Sequence, residues 1–140
     1  MRRCGLLSRY MRDRRGVAAI EFAIVAPLLI MMMFGMIMYG SWFWMAHSVQ
    51  SMASEGARAA IAGLDPTERE QLARAFVDMQ VGDLGLDAAK AAVAVESSPT
   101  AIRVNIAYDA SDHPLMTLSG LIPSPPRIIR RTAVVRLGGY

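Results

Sequence analysis

The sequence predicts an α+β protein, in which a long N-terminal transmembrane helix continues into an amphipathic helix and is followed by a small external domain. That domain is expected to contain one further helix and a roughly three-stranded antiparallel sheet. Three observations support this fold class: an apolar run too long for an ordinary core helix, a strong helix-start signal after it, and alternating hydrophobicity in the last third of the chain.

The apolar run occupies residues 22–45 and contains no acidic or basic residue. A bilayer core about 30 Å thick is crossed by about 20 residues at ~1.5 Å each, so we predict a transmembrane helix over residues 17–45. A secretory signal peptide is the alternative interpretation, because it also begins with basic residues. Its apolar region is only about 7–15 residues long, which makes the run too long for a signal peptide.

A basic leader, residues 1–16, precedes the helix and carries six arginines, among them Arg12, Arg14 and Arg15, against one aspartate. The first basic residue beyond the apolar run is Arg58. The positive-inside rule therefore predicts a cytoplasmic N-terminus and an external domain over residues 46–140. Aromatic rings favour the headgroup level, so Trp42 and Trp44 are predicted to anchor the outer end of the helix.

The basic leader also accounts for the sequence pI of about 9.5. Residues 17–140 contain nine basic and eleven acidic residues. Without a basic surplus outside the leader, we expect no nucleic-acid partner. The single cysteine, Cys4, lies in the leader, so the external domain is expected to fold without a disulfide.

Beyond the membrane the helix is expected to continue over residues 46–62, because small and apolar residues recur there at spacings of three and four. Gly63 is a candidate C-terminal cap. A second helix is predicted over residues 65–80, with Asp65 as its N-cap, Pro66 in its first turn and Glu68 completing a capping box. The residues predicted to face inward are Leu72, Phe76 and Met79.

Three segments within residues 91–137 have strand character: "AAVAVES", "AIRVNIAYD" and "IIRRTAVVRLG". In the second, one face is formed by Ile102, Val104, Ile106 and Tyr108. The sequence "SSPT" predicts a tight turn between the first two strands, and a long Pro-, Ser- and Gly-rich loop precedes the third. A short helix is expected in this loop around residues 115–118.

Glu21 is unusual because it lies at the start of the apolar run. A charged residue at the centre of a membrane helix costs about 2.5–3.5 kcal/mol, although a shallow glutamate can reach the headgroups or nearby arginines. Cleavage after Gly16 would place a new amine at Val17, four residues or ~6 Å before Glu21. The amine and the carboxylate could then pair within one subunit or between neighbouring subunits.

Basic residues, then Gly16, then a hydrophobic segment with Glu21 and Phe22 at its fifth and sixth positions resemble the type IV prepilin pattern. More specifically, "RRGVAAIEFAIVAPLLIMMMFGMIMYG" followed by "SVQSMASEGARAA" resembles the TadE-like pseudopilins of bacterial tight-adherence (Flp-type) pilus systems, over residues 14–62. The resemblance implies cleavage between Gly16 and Val17 by a membrane aspartyl prepilin peptidase. It also implies that Glu21 and Phe22 serve peptidase recognition and assembly.

The expected function is that of a minor pseudopilin in the bacterial inner membrane that supports pilus assembly. Its expected partners are membrane lipid, the prepilin peptidase, other pilins or pseudopilins, and the inner-membrane assembly platform. One alternative is an uncleaved single-pass scaffold of the same apparatus, and another is a membrane-anchored enzyme. The enzyme is disfavoured because the only candidate acid-base or metal cluster, His113 with Asp109 and Asp112, lies in a loop without a further histidine. We therefore expect no catalysis, no metal and no cofactor.

Overall fold

A computed structural model describes residues 14–114, 116, 120 and 123–138, without the side chains of Arg14 and Arg15. The described helices are α1 (Arg14–Ala59) and α2 (Pro66–Asp83), and the described strands are β1 (Ala91–Ser97), β2 (Ala101–Asp109) and β3 (Ile128–Arg136). Short 3-10 turns at Ala60–Ala62 and Ala88–Lys90 follow α1 and precede β1. The predicted α+β fold class is confirmed. The short helix predicted around residues 115–118 lies mostly outside the described residues.

The chain forms two compact units, one ending at Ile37 and the other beginning at Met38. The described part of the first unit is the N-terminal portion of α1, which continues through Pro27 without a break. Almost all of its side chains from Val17 to Ile37 are exposed. These 21 residues extend about 31 Å at ~1.5 Å each, which equals the thickness of a bilayer core. The helix is therefore long and apolar enough to cross a membrane.

The second unit has a hydrophobic core that begins at Met38, whose side chain is fully buried. Both helices contribute to this core together with β2, so that the helices cover one face of the sheet. The buried core residues of α1 are Met45, Ala46, Val49, Met52, Ala53 and Ala57. Residues 38–45 of the predicted membrane segment belong to this second unit.

The sheet has the strand order β1-β2-β3, and both pairs are antiparallel. The predicted inner face of β2 is confirmed, because Ile102, Val104, Ile106 and Tyr108 are all buried. The β1–β2 connection is a tight turn in which Ser98 N donates to Ala101 O at 2.8 Å. Alternation along β2 therefore separates the core from an open face of the sheet.

The start of α2 follows the predicted capping pattern. Asp65 Oδ1 accepts a hydrogen bond from Glu68 N at 2.8 Å, and Pro66 is the first helical residue. The Glu68 carboxylate accepts from Leu64 N at 2.7 Å, one residue before the cap. The helix continues to Asp83, three residues beyond the predicted end.

The predicted inner face of α2 is wrong in part. The buried residues are Ala73, Val77 and Val81, whereas Leu72 and Phe76 are half-buried and Met79 is 60% exposed. The cause is the close approach of α1. A Cβ added to Gly56 would lie 3.3 Å from Val77 Cγ2 and 3.6 Å from Ala73 O, so only small side chains fit between the helices.

Gly63 ends the first helical segment, but not through a left-handed cap. Its φ of −72° and ψ of 137° are available to any residue, and its N–H donates to Ala60 O at 3.2 Å. Glycine is needed here for space, because a Cβ would lie 2.7 Å from Arg69 N and 2.8 Å from Arg69 Cγ. Arg69 is fixed in turn by hydrogen bonds from Nε to Gly63 O and from Nη1 to Ser97 Oγ.

Candidate functional site

The predicted processing site lies in the first turn of α1. Gly16 and Val17 are the third and fourth residues of the helix, and both are exposed. Glycine costs about 1 kcal/mol relative to alanine in a helix. Gly16 therefore weakens the helix next to its bond with Val17.

The basic residues before this bond are only partly described. Arg14 and Arg15 are the first two residues of α1, but their side chains are not described. Arg12 lies outside the described residues. The proposed topology signal therefore remains a prediction from the sequence.

Glu21 and Phe22 are exposed on α1, and the Phe22 ring is 73% accessible. Val17 and Glu21 are four residues apart in a continuous helix, so their side chains lie on the same helix face. No hydrogen bond or ion pair of the described residues involves Glu21. An unpaired carboxylate amid apolar side chains can bind a cation supplied by another group.

The helix surface from Val17 to Ile37 is suited to lipid or to other apolar helices. Its exposed side chains include Val17, Ile20, Phe22 and Val25, which lie on different faces of the helix. A soluble domain rarely leaves such a continuous apolar surface in water. The surface can therefore form a membrane anchor as well as a packing surface for neighbouring helices.

The aromatic residues after this segment have different roles in the second unit. Trp42 Nε1 donates to Pro126 O at 2.9 Å, and the Tyr39 hydroxyl donates to Pro123 O at 3.0 Å. Trp42 also packs against the hydrophobic core, whereas Trp44 is 50% exposed. The amphipathic rings of both tryptophans predict headgroup anchoring, but they do not predict the bond from Trp42 to the loop before β3. No local sequence signal pairs residues 84 positions apart.

Charged groups of the loop after β2 are held by local interactions. Lys90 Nζ lies 3.1 Å from Asp112 Oδ2 and 3.9 Å from Asp87 Oδ2. The hydrogen bond to Asp112 raises the pKa of Lys90, although desolvation opposes this shift. Hydrogen bonds from Ser111 lower the pKa of Asp109, whose Oδ1 accepts from Ser111 N at 2.9 Å. Among the described residues, no group of three acidic, histidine or cysteine side chains is placed to hold a metal ion.

Gly16, Glu21 and Phe22 lie on the same helix, α1, as the amphipathic segment that ends near Arg58. Residues 16–58 match the TadE-like protein family. The resemblance inferred from the sequence is thereby confirmed for this segment. The TadE-like segment contains the predicted processing motif, the apolar helix and most of its extension, and it ends before α2 and the sheet. No curated protein and no solved structure matches the chain.

TadE-like proteins are structural or assembly proteins of pili and are not known enzymes. The TadE-like segment also includes the single candidate membrane helix found among the described residues. The similarity of this protein to pilus-associated membrane proteins therefore lies in its N-terminal helix, over residues 16–58.

Proposed function

We propose that this protein is a minor pseudopilin of a tight-adherence type IV pilus, matured by prepilin peptidase and acting in pilus assembly. The observation that carries the proposal is the placement of Gly16, Glu21 and Phe22 in the first turns of an exposed apolar helix within the TadE-like match. The proposed location is the bacterial inner membrane, with the N-terminus in the cytoplasm and the second unit outside.

The proposed maturation changes the charge of the helix start. Cleavage after Gly16 removes all six arginines of the leader and leaves one cation, the amine of Val17. This amine lies about 6 Å along the helix axis from Glu21. Within lipid, an amine and a carboxylate attract each other more strongly than in water, and a mismatch in register leaves both unpaired.

The proposed function of Glu21 and the Val17 amine is to pair between neighbouring subunits. Glu21 of one subunit accepts the Val17 amine of the next, which fixes the axial offset between two otherwise apolar helices. The partners in this step are other pilins or pseudopilins and the assembly platform of the inner membrane. The exposed apolar side chains of residues 17–37 supply the packing surface.

Cleavage is the first expected outcome. The membrane-extracted protein should begin at Val17, because basic residues and a glycine precede this bond and Glu21 follows at the prepilin spacing. N-terminal sequencing and intact mass test this. Gly16→Leu should block maturation, whereas Gly35→Leu, the same change at an open position of the same helix, should not.

An N-terminus at Met1 in cells with active prepilin peptidase would contradict the pseudopilin proposal. It would instead support an uncleaved single-pass scaffold of the same apparatus. That alternative retains the membrane helix and the external domain but has no Val17 amine.

Topology is the second expected outcome. A reporter fused after Tyr140 should be active outside the cytoplasm, and one fused before Met1 should be active inside, because the leader concentrates the arginines. Protease added to intact spheroplasts should digest the external domain. Protection of residues after Trp44 would contradict this orientation. Replacing Arg12, Arg14 and Arg15 with alanine is the control, and it should produce a mixed orientation.

A further inference from the structure

The last strand of the protein is strongly basic. No acidic residue follows Asp112, whereas Arg127, Arg130, Arg131 and Arg136 lie in or next to β3. We call these four arginines the basic edge, because β3 is a terminal strand of the sheet. None of them forms an ion pair with a described residue.

Three arginines of the basic edge, Arg127, Arg130 and Arg136, are exposed, whereas Arg131 is half-buried on the other face of β3. Arg130 and Arg136 are exposed on the open face of the sheet, and Arg131 Nη1 donates to the backbone oxygen of Arg130 at 2.8 Å. The outer N–H and C=O groups of β3 have no strand partner within the described sheet. Arg127 lies close enough to Asp109 to help lower the pKa of that carboxyl, so its charge is partly balanced.

An acidic surface of matching charge lies on α2. Residues 65–87 contain six acidic and two basic residues, a formal charge of −4, opposite in sign to the basic edge. Both basic residues already have partners within the chain. Arg74 Nη2 lies 2.7 Å from Glu70 Oε1, and Arg69 donates hydrogen bonds to Gly63 O and Ser97 Oγ. Asp78 and Asp83 are exposed on α2, without an ion pair to any described residue. We call the surface around Asp78 and Asp83 the acidic helix face.

The two surfaces lie at opposite edges of the second unit. Helix α2 packs against β1, which is one edge of the sheet, whereas the basic edge follows β3 at the other. Opposite charges on two edges cannot neutralise each other within one chain. They can do so between two chains that are placed side by side in the same orientation.

We propose that the basic edge of one copy docks on the acidic helix face of a second copy. The contact is heterologous, since each copy uses a different surface, and a heterologous contact repeats along a row or helix of subunits. The occupant is another copy of this chain because two exposed surfaces of opposite charge occur on the same domain. The inference goes beyond the proposed function, because it concerns the outer domain and requires neither cleavage nor Glu21.

Disulfide crosslinking of the full chain in membranes tests the contact. Two tagged versions, both carrying Cys4→Ser, are co-expressed, one with Thr132→Cys on β3 and the other with Ala75→Cys on α2; both positions are exposed. Mild oxidation should yield a mixed dimer. The matched control replaces Ala75→Cys with Ser51→Cys, an exposed position on α1, which should give no mixed dimer. Absence of the Thr132–Ala75 dimer would overturn the proposed contact.

Charge reversal tests the electrostatic origin. Arg130→Glu with Arg136→Glu in one copy, or Asp78→Arg with Asp83→Arg in the other, should each lower the mixed-dimer yield by about tenfold. Combining the two reversals should restore it. Arg130→Lys with Arg136→Lys is the charge-preserving control, and protease resistance of every variant verifies folding.

If the yield of the mixed dimer does not change on charge reversal, the electrostatic pairing is wrong. If the Thr132→Cys variant crosslinks to a different protein and forms no mixed dimer, the basic edge does not bind a second copy of this chain. A mixed dimer that persists in an uncleaved Gly16 variant is expected, and it separates this inference from the maturation proposal.

Discussion

Glu21→Ala is expected to insert into the membrane at least as well as the unchanged protein but to lose about tenfold in crosslinking to pilus partners. Insertion improves because a carboxylate is removed from the apolar helix. Assembly weakens because the Val17 amine of a neighbouring subunit loses its acceptor, and a tenfold loss corresponds to roughly 1.4 kcal/mol. Surface piliation should fall in parallel. Membrane fractionation, crosslinking and pilus counts measure the three effects.

The matched control is Glu21→Gln, which keeps the shape of the side chain and its hydrogen bonding but removes the charge. A defect as large as that of alanine would assign the effect to the charge pair. The extent of cleavage must be measured in both variants, because failed maturation would imitate failed assembly. Normal maturation, crosslinking and piliation in both variants would show that Glu21 is a shallow residue reaching the headgroups, without a role in assembly.

Gly63→Ala is expected to destabilise the external domain by about 1–3 kcal/mol, the usual cost of forcing an extra methyl group into a filled space. The added Cβ would lie 2.7 Å from Arg69 N, which is backbone and cannot move without shifting the start of α2. The hydrogen bond from Arg69 to Ser97 links this shift to β1. Urea unfolding of the full chain in detergent, followed by protease resistance of the domain, measures the change.

Gly82→Ala is the matched control for this prediction. Gly82 lies within α2, its φ is not positive, and a Cβ there would meet nothing within 4 Å. Alanine should therefore stabilise the domain by about 0.5–1 kcal/mol through its higher helix propensity. A stabilising effect at Gly63 as well would show that the tight contact with Arg69 does not exist in solution.

The sequence predicted those parts of the fold that depend on local chemistry. The cap at Asp65 and the alternation along β2 each involve residues close in the chain, so they can be inferred without knowing the tertiary structure. The inner face of α2 could not be predicted in this way. Leu72, Phe76 and Met79 form as good an apolar stripe as Ala73, Val77 and Val81, and the choice depends on how closely α1 approaches at Gly56.

The candidate site shows the same division. Gly16, Glu21 and Phe22 are recognised from a linear motif, and the structure adds that they lie at the start of one exposed helix. Trp42 was expected at the headgroup level because its ring is amphipathic. Its bond to Pro126 depends on the path of a distant loop, which composition and periodicity do not specify.

The bonds from Tyr39 to Pro123 and from Trp42 to Pro126 have a consequence for the order of folding. The first residues of the second unit are joined to residues 84 positions later, next to the final strand. Such a domain cannot fold piece by piece as the polypeptide is synthesised, because β2 lacks one of its two neighbouring strands until β3 has been made. Truncation before Arg127 would therefore leave one edge of β2 unpaired, and the nascent domain requires protection from aggregation until β3 is complete.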